Sequence, residues 1–224
     1  MIDIKLLEQL CLCNGISGDE GNVRNLIINE IKDCADDIKT DNLGNLIVFK
    51  KGKKSAKSKL MVSAHMDEVG LMVTDITSDG YLKFDEVGGI DRRVLPGKRV
   101  CVGSNGLNGV IGVKPIHLTN SDEKTAVPKM NDMYIDIGAE SREDALKYVN
   151  YGDGINFEGD FKINGKTVVT KALDDRFGCY VLINLIKSEP EYDMYFTFVV
   201  QEEVGLRGAR PAAFTVNPDF ALVI

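Results

Sequence analysis

The sequence predicts an α/β protein: a central mixed, largely parallel sheet with helices on both faces and an inserted small all-β domain. Three observations lead there. Helically spaced segments and short apolar strand runs occupy both ends of the 224-residue chain. Between Val69 and Val169 the texture changes to short strand-like runs separated by frequent turns. At both ends, acidic clusters follow directly on apolar strand runs. The expected division is an α/β domain from residues 1–68 and 168–224, with a barrel-like β domain at 69–167 between them.

Leu6, Leu7, Leu10 and Cys11 keep a helical spacing, and Asn14-Gly15 stops that helix. Ser17 and Glu20 form a capping-box pattern ahead of a second helix, in which Val23, Leu26, Ile27 and Ile31 share a face. Asp41-Asn42-Leu43-Gly44-Asn45 reads as a turn into the strand Leu46-Ile47-Val48-Phe49. Six lysines from Lys50 to Lys59 read as a solvated hairpin loop, since no aromatic residues are interleaved. Leu60 to Ala64 is a short buried strand. The middle section holds strand candidates at Tyr81–Phe84, Arg99–Val102, Val110–Val113 and Tyr134–Ile137, with one helix from Ser141 to about Val149. Helix then returns over Asp175 to Lys187 and over Gly205 to Phe214. Tyr195–Val200 and Phe220–Ile224 read as buried strands.

Composition narrows the function classes. Apolar residues make up 44% and charged residues 27%, too apolar for a disordered chain. The formal net charge of −7 argues against nucleic acid or an anionic membrane surface as partner. No apolar run approaches the roughly 18 residues of a transmembrane helix. Met1-Ile2-Asp3-Ile4-Lys5 lacks the pattern of a signal peptide, so a cytoplasmic location is expected. The five scattered cysteines suit a reduced compartment. Cys11 and Cys13 have no second pair with which to make a metal site.

Three clusters carry chemistry: His65-Met66-Asp67-Glu68 after one strand, Leu173-Asp174-Asp175-Arg176 at a helix start, and Gln201-Glu202-Glu203-Val204-Gly205 after another strand. Ligands of open α/β sheets bind beyond the carboxyl ends of strands. Each cluster alone has a plain reading: a structural histidine, acidic residues favouring a helix dipole, a solvated glutamate pair. An acidic pair at the end of a buried strand is costly, however, unless a cation meets it. Together, one histidine and several carboxylates suit a divalent metal bound through nitrogen and oxygen.

On these residues the chain resembles the cocatalytic metallo-aminopeptidases. More narrowly, it resembles the tetrahedral or deblocking family, which includes glutamyl aminopeptidases and proteins once labelled endoglucanases. His65-Met66-Asp67 is similar to the family's His-x-Asp motif, Asp174-Asp175-Arg176 to its Asp-Asp-Arg motif, and Glu202-Glu203-Val204-Gly205 to its Glu-Glu-Val-Gly motif. Gly15-Ile16-Ser17-Gly18-Asp19-Glu20 and Asp41–Asn45 extend the match along the whole chain. The resemblance implies a peptidase that removes N-terminal residues with two divalent ions, zinc or cobalt with manganese as a further choice. It implies His65 on one ion, Glu203 on the other, Asp174 bridging both, Glu202 as general base and Asp67 orienting His65. It also implies peptide substrates and assembly into hollow dodecamers through the β domain.

Two family ligands have no counterpart in these 224 residues: an aspartate at the end of the strand running to Ile224, and a histidine further on. His117 does not match that histidine. The expectation is therefore a chain lacking about a third of a typical family member, with two of three protein ligands for each ion. Such a polypeptide, taken alone, is expected to hold little metal and to be inactive. The alternative is a non-catalytic truncated relative that acts as an assembly module. A glycoside hydrolase fits less well, because Glu202 and Glu203 are adjacent rather than flanking a sugar, and tryptophan is absent.

Overall fold

The computed structural model describes residues 3–119 and 126–224, apart from the side chain of Ile116. Met1 and Ile2 of the N-terminal pentapeptide lie outside the described residues. The chain forms two compact units: residues 1–68 with 159–224, and residues 69–158. The second boundary falls before the hairpin of β10 (Lys162–Asn164) and β11 (Thr167–Val169), which the sequence had suggested for the inserted segment.

The first unit is built on a five-stranded sheet in the order β1-β2-β12-β3-β13. Its strands are β1 (Asp37–Thr40), β2 (Leu46–Lys50), β3 (Leu60–His65), β12 (Met194–Val199) and β13 (Phe220–Val223). β12 and β13 both run parallel to β3, whereas β1–β2 and β2–β12 are antiparallel. The sheet is thus mixed in equal measure rather than largely parallel, because the short turn at 41–45 folds β2 back on β1.

The two-residue alternation of each strand sorts its side chains between two layers. Leu46, Val48, Val62, Ala64, Phe196 and Phe198 pack with residues of α1 (Ile4–Leu12), α2 (Gly21–Ile31) and α4 (Leu173–Lys187). Alternate residues Ile47 and Met61 cluster instead with Val216 of α5 (Ala209–Val216). α1 begins where Asp3 accepts the Leu6 N–H.

α5 starts at Ala209, later than the Gly205 expected from periodicity. Gly205 and Leu206 both take positive φ, and residues 202–206 turn instead of continuing a helix. β13 was expected to be buried, yet all four of its residues are exposed. It is an edge strand whose one neighbour among the described residues is β3.

The second unit is a closed antiparallel barrel, β4-β5-β8-β7-β6-β9. Its strands are β4 (Gly70–Ile76), β5 (Leu82–Val87), β6 (Arg99–Val102), β7 (Leu107–Val113), β8 (Met133–Asp136) and β9 (Gly154–Phe157). Leu71, Val73, Leu82, Val100, Ile111, Ile135 and Ile155 fill its core. The unit is not purely β. α3 (Arg142–Ala145) starts at Ser141, whose Oγ accepts the Asp144 N–H. It ends four residues before the expected Val149, because Lys147 and Tyr148 bond three residues back and tighten the turn.

The turn at 41–45 does more than reverse the chain. Asp41 Oδ1 accepts the N–H groups of Leu43, Gly44 and Asn45. Asn45 is fully buried; its Oδ1 accepts the Val200 N–H at 3.0 Å and its Nδ2 donates to Gly208 O at 2.9 Å. A Cβ on Gly208 would lie 2.3 Å from Val200 O and 2.4 Å from Asn45 Oδ1, so only glycine permits this approach. Asn45→Ala would strand the buried Val200 N–H and leave the Gly208 carbonyl with the Ala212 N–H as its remaining donor. We expect it to lower stability by about 2–4 kcal/mol, seen as a reduced urea midpoint at unchanged slope; an unchanged midpoint would refute the pin.

Candidate metal centre

β3 and β12 are parallel neighbours, with Val199 opposite His65. Their carboxyl ends therefore bring the first and third clusters together. One nitrogen of His65 and one oxygen each of Glu202 and Glu203 all lie within 4.8 Å of one another. Among the described residues this is the one group of three or more with metal-binding geometry. Asp174, at the start of α4, reaches the same histidine: its Oδ1 is 3.1 Å from His65 Nε2. Glu202 Oε2 is 3.9 Å from the same nitrogen. The Asp174 side chain is 90% exposed. Cys11 and Cys13 join no such cluster, and burial pushes the Cys11 thiol up to about 11. His117 is exposed in a short turn of the barrel unit and joins none either.

Asp67 makes the contacts that give this cluster its shape. It is fully buried. Its Oδ1 accepts the Glu202 N–H and its Oδ2 the Glu203 N–H, each at 3.0 Å. Ser17 Oγ donates to Oδ2 at 2.5 Å. His65 Nδ1 lies 3.1 Å from the Asp67 carbonyl and 3.5 Å from its Oδ1. The carbonyl is the nearer acceptor for the imidazole, so the carboxylate's main work is to clamp the backbone that carries the two glutamates. Burial pushes the Asp67 carboxyl upward, but His65, Ser17 and the two N–H groups outweigh it and leave it below the ordinary value.

The second cluster divides its labour. Asp174 faces the site, whereas Asp175 is buried and accepts the N–H groups of His65 (3.1 Å) and Gly178 (3.0 Å). A Cβ on Gly178 would meet Asp175 Oδ1 at 2.3 Å. The peptide between Asp174 and Asp175 is cis. Arg176 is completely buried and donates to the carbonyls of Met66, Leu10, Cys13 and Gly15. Lys171 forms a buried pair with Glu68 at 2.7 and 3.0 Å and also reaches Asn14. The loop at 13–15, the end of β3 and the start of α4 are thereby locked by charged hydrogen bonds. In sequence Arg176 is only the third letter of a motif, and Lys171, Glu68 and Asn45 carry no mark of their roles.

The capping-box expectation fails. Ser17 bonds Asp67, and α2 starts after Glu20 with no side-chain cap. Two non-glycine residues flank the cluster in left-handed backbone, Ala172 (φ 51°) before Asp174 and Gln201 (φ 56°) before Glu202. Such conformations cost about 1–3 kcal/mol and persist where surrounding contacts hold them.

The charges are strongly coupled. Burial pulls the His65 value down, but its bond to Asp67 and the nearby Asp175 and Asp174 carboxylates raise it to about 9. Burial is the leading cause that raises the Glu203 carboxyl, opposed by His65 and reinforced by Glu202, Asp67 and Asp174. Desolvation contributes more to the rise than the neighbouring carboxylates do.

With this geometry in hand, comparison with known proteins assigns the family. The family model for M42 glutamyl aminopeptidase matches residues 44–224. The chain belongs to that family. An Acetivibrio thermocellus relative, provisionally named an aminopeptidase, is 48% identical over 98% of this chain and 64% of its own length. The TET1 peptidase of Pyrococcus horikoshii, described as assembling into a tetrahedron or a large octahedral shell, superposes with TM-score 0.89. It is 46% identical over 99% of this chain and 68% of its own. A Thermotoga maritima structure named endoglucanase gives TM-score 0.84 and 42% identity, over 97% of this chain and 64% of its own. This M42 chain spans about two thirds of the length of such relatives. No helix among its described residues is long and apolar enough to cross a membrane.

The raised His65 value fixes the sign of a pH effect. Below about 9 the imidazole carries a proton, and an ion that took His65 as a ligand would have to displace it. Apparent metal affinity should therefore fall by up to about tenfold per pH unit below 9 and level off above it. His65 also stabilises the metal-free fold fully below its ordinary 6.5, and that contribution fades as pH rises through 9. Calorimetric titration in buffers of different protonation enthalpy reads the released proton. Metal uptake without proton release at pH 7 would contradict the assignment.

Proposed function

We propose that this chain carries most of the active site of a metal-dependent aminopeptidase, and that the cluster where β3 and β12 end is its centre. The observation that carries the reading is the convergence of His65, Glu202 and Glu203 in front of a buried, backbone-clamping Asp67. The donor set fits a divalent ion: one imidazole nitrogen and carboxylate oxygens, with no thiol among them. His65 and Glu203 would each hold one of two ions, with Asp174 shared between them. Zinc or cobalt suits this set, and manganese is compatible with it. The family pattern adds one further protein ligand for each ion beyond these three residues. When bound, such ions supply Lewis-acid polarisation of the scissile carbonyl and acidification of a water.

This chain's own groups do the rest. The Glu202 carboxylate takes the proton from water at Oε and returns it to the leaving amine nitrogen. Asp67 holds the Glu202 and Glu203 backbone still, so that neither carboxylate has to reorganise during the reaction. The Asp67 carbonyl accepts from His65 Nδ1, which leaves Nε2 to face the carboxylates. Peptides are the substrate class, with a free N-terminus next to the metals. The barrel unit, expected from the sequence at 69–167, is read as serving oligomerisation and substrate access, and the α/β unit as the catalytic one. The shells described for the Pyrococcus horikoshii peptidase support a homo-oligomer, which we read as a dodecamer in full-length form, in keeping with the dodecamer named for a similar structure. The location proposed is the cytoplasm.

The test is hydrolysis of aminoacyl-nitroanilides by a full-length version of the protein, with and without a chelator. Glu202→Gln should cut turnover by about 10²–10⁴-fold while metal content stays near wild type, since Glu202 moves a proton. His65→Ala should lower metal content itself. The reverse pattern would exchange the two roles. Hydrolysis of β-glucan that survives the chelator would replace the reading with the glycosidase suggested by the Thermotoga maritima name. Assembly with neither activity would leave an assembly module.

A further inference from the structure

Ser17-Gly18-Asp19-Glu20 reads in sequence as a helix start, yet neither outer side chain caps α2. Glu20 is instead 4% exposed. Its Oε1 accepts the Gly18 N–H at 2.7 Å and the Gln201 N–H at 3.1 Å. Asp67 accepts the next two N–H groups, those of Glu202 and Glu203. Three consecutive amides, 201 to 203, are thus held by two buried carboxylates from separate segments of the first unit. Gln201 itself sits at φ 56°, a conformation that a non-glycine residue keeps only under external constraint. The Gln201 N–H belongs to the Val200–Gln201 peptide, so Glu20 holds the plane on one side of the Gln201 Cα while Asp67, through the Glu202 N–H, holds the plane on the other. Together they keep the left-handed φ with which the chain enters Glu202.

We propose that Glu20 is a positioning residue for Glu202, acting through the Gln201 amide as the outer half of a two-carboxylate cradle with Asp67. This rests on the reading of Glu202 as the proton-moving group. Glu20 touches neither water nor substrate in that scheme. What it supplies is one oxygen acceptor at a fixed place, so an amide oxygen can substitute for it and a shorter or absent side chain cannot.

The experiment compares wild type, Glu20→Gln and Glu20→Ala in the full-length protein by amide hydrogen exchange over 199–206, by metal content, and by kcat and KM on an aminoacyl-nitroanilide. Glu20→Ala should speed exchange at 201 by roughly tenfold. It should lower kcat by about 100-fold, the scale of a misplacement near 1 Å, with KM within about threefold and metal content unchanged. Glu20→Gln should restore both exchange and kcat to within about threefold of wild type. If Glu20→Ala does not fold, Glu20→Asp takes its place, because it keeps the charge but withdraws the oxygen. Unchanged exchange at 201, faster exchange with wild-type kcat, a kcat loss that tracks metal loss, or a Gln variant as impaired as Ala would each overturn the proposal. If the wild-type protein hydrolyses no aminoacyl amide, the aminopeptidase reading fails by itself. The exchange comparison then still decides the cradle.

Discussion

The carboxylate of Asp67 is the constraint on which the rest of the centre depends. A fully buried anion is costly unless every lone pair finds a donor. Here it finds the Ser17 hydroxyl and two backbone N–H groups, with the His65 ring beside it. Those donors come from the loop before α2, from the end of β12 and from the end of β3. Satisfying one buried charge therefore fixes three distant segments at once. The two N–H bonds decide where Glu202 and Glu203 stand, while the Asp67 carbonyl and the Asp175 carboxylate set the ring and the backbone of His65.

Around that charge lies a second ring of buried and half-buried polar groups that tie the loops together. Arg176 gathers four carbonyls, Lys171 pairs with Glu68, and Asn45 bridges Val200 and Gly208. Buried ionic groups seldom add net stability compared with apolar residues of similar size. What they specify is geometry: loops that would otherwise have many conformations are held in one. The left-handed residues Ala172 and Gln201 stand where such holding is needed, immediately before the two acidic motifs.

The barrel unit solves a different problem. Closing six antiparallel strands leaves no open edge, and alternate side chains fill its interior. The sheet of the first unit is open, and β13 at its edge carries exposed Phe220, Leu222 and Val223.

Much of this was legible in the sequence by itself. Helical spacing located α1, α2 and most of α4, and apolar runs located β2, β3 and β12, because burial of one face leaves a periodic record. The acidic clusters after apolar strands marked the site, since charge at the end of a core strand needs a reason. The M42 resemblance was carried by the same residues. Tertiary structure alone decided the rest. Hydrogen bonds across 50 to 180 residues have no local period, so the roles of Ser17, Glu20, Asn45 and Arg176 could not be read from spacing. Ser17 and Glu20 looked like a cap because a capping box and a buried acceptor pair use the same residue types. The strand directions depended on a turn at 41–45 that folds β2 back, and the exposure of β13 on its place at the sheet edge. A sequence records which residues must leave water; only the folded chain settles which polar group each of them meets there.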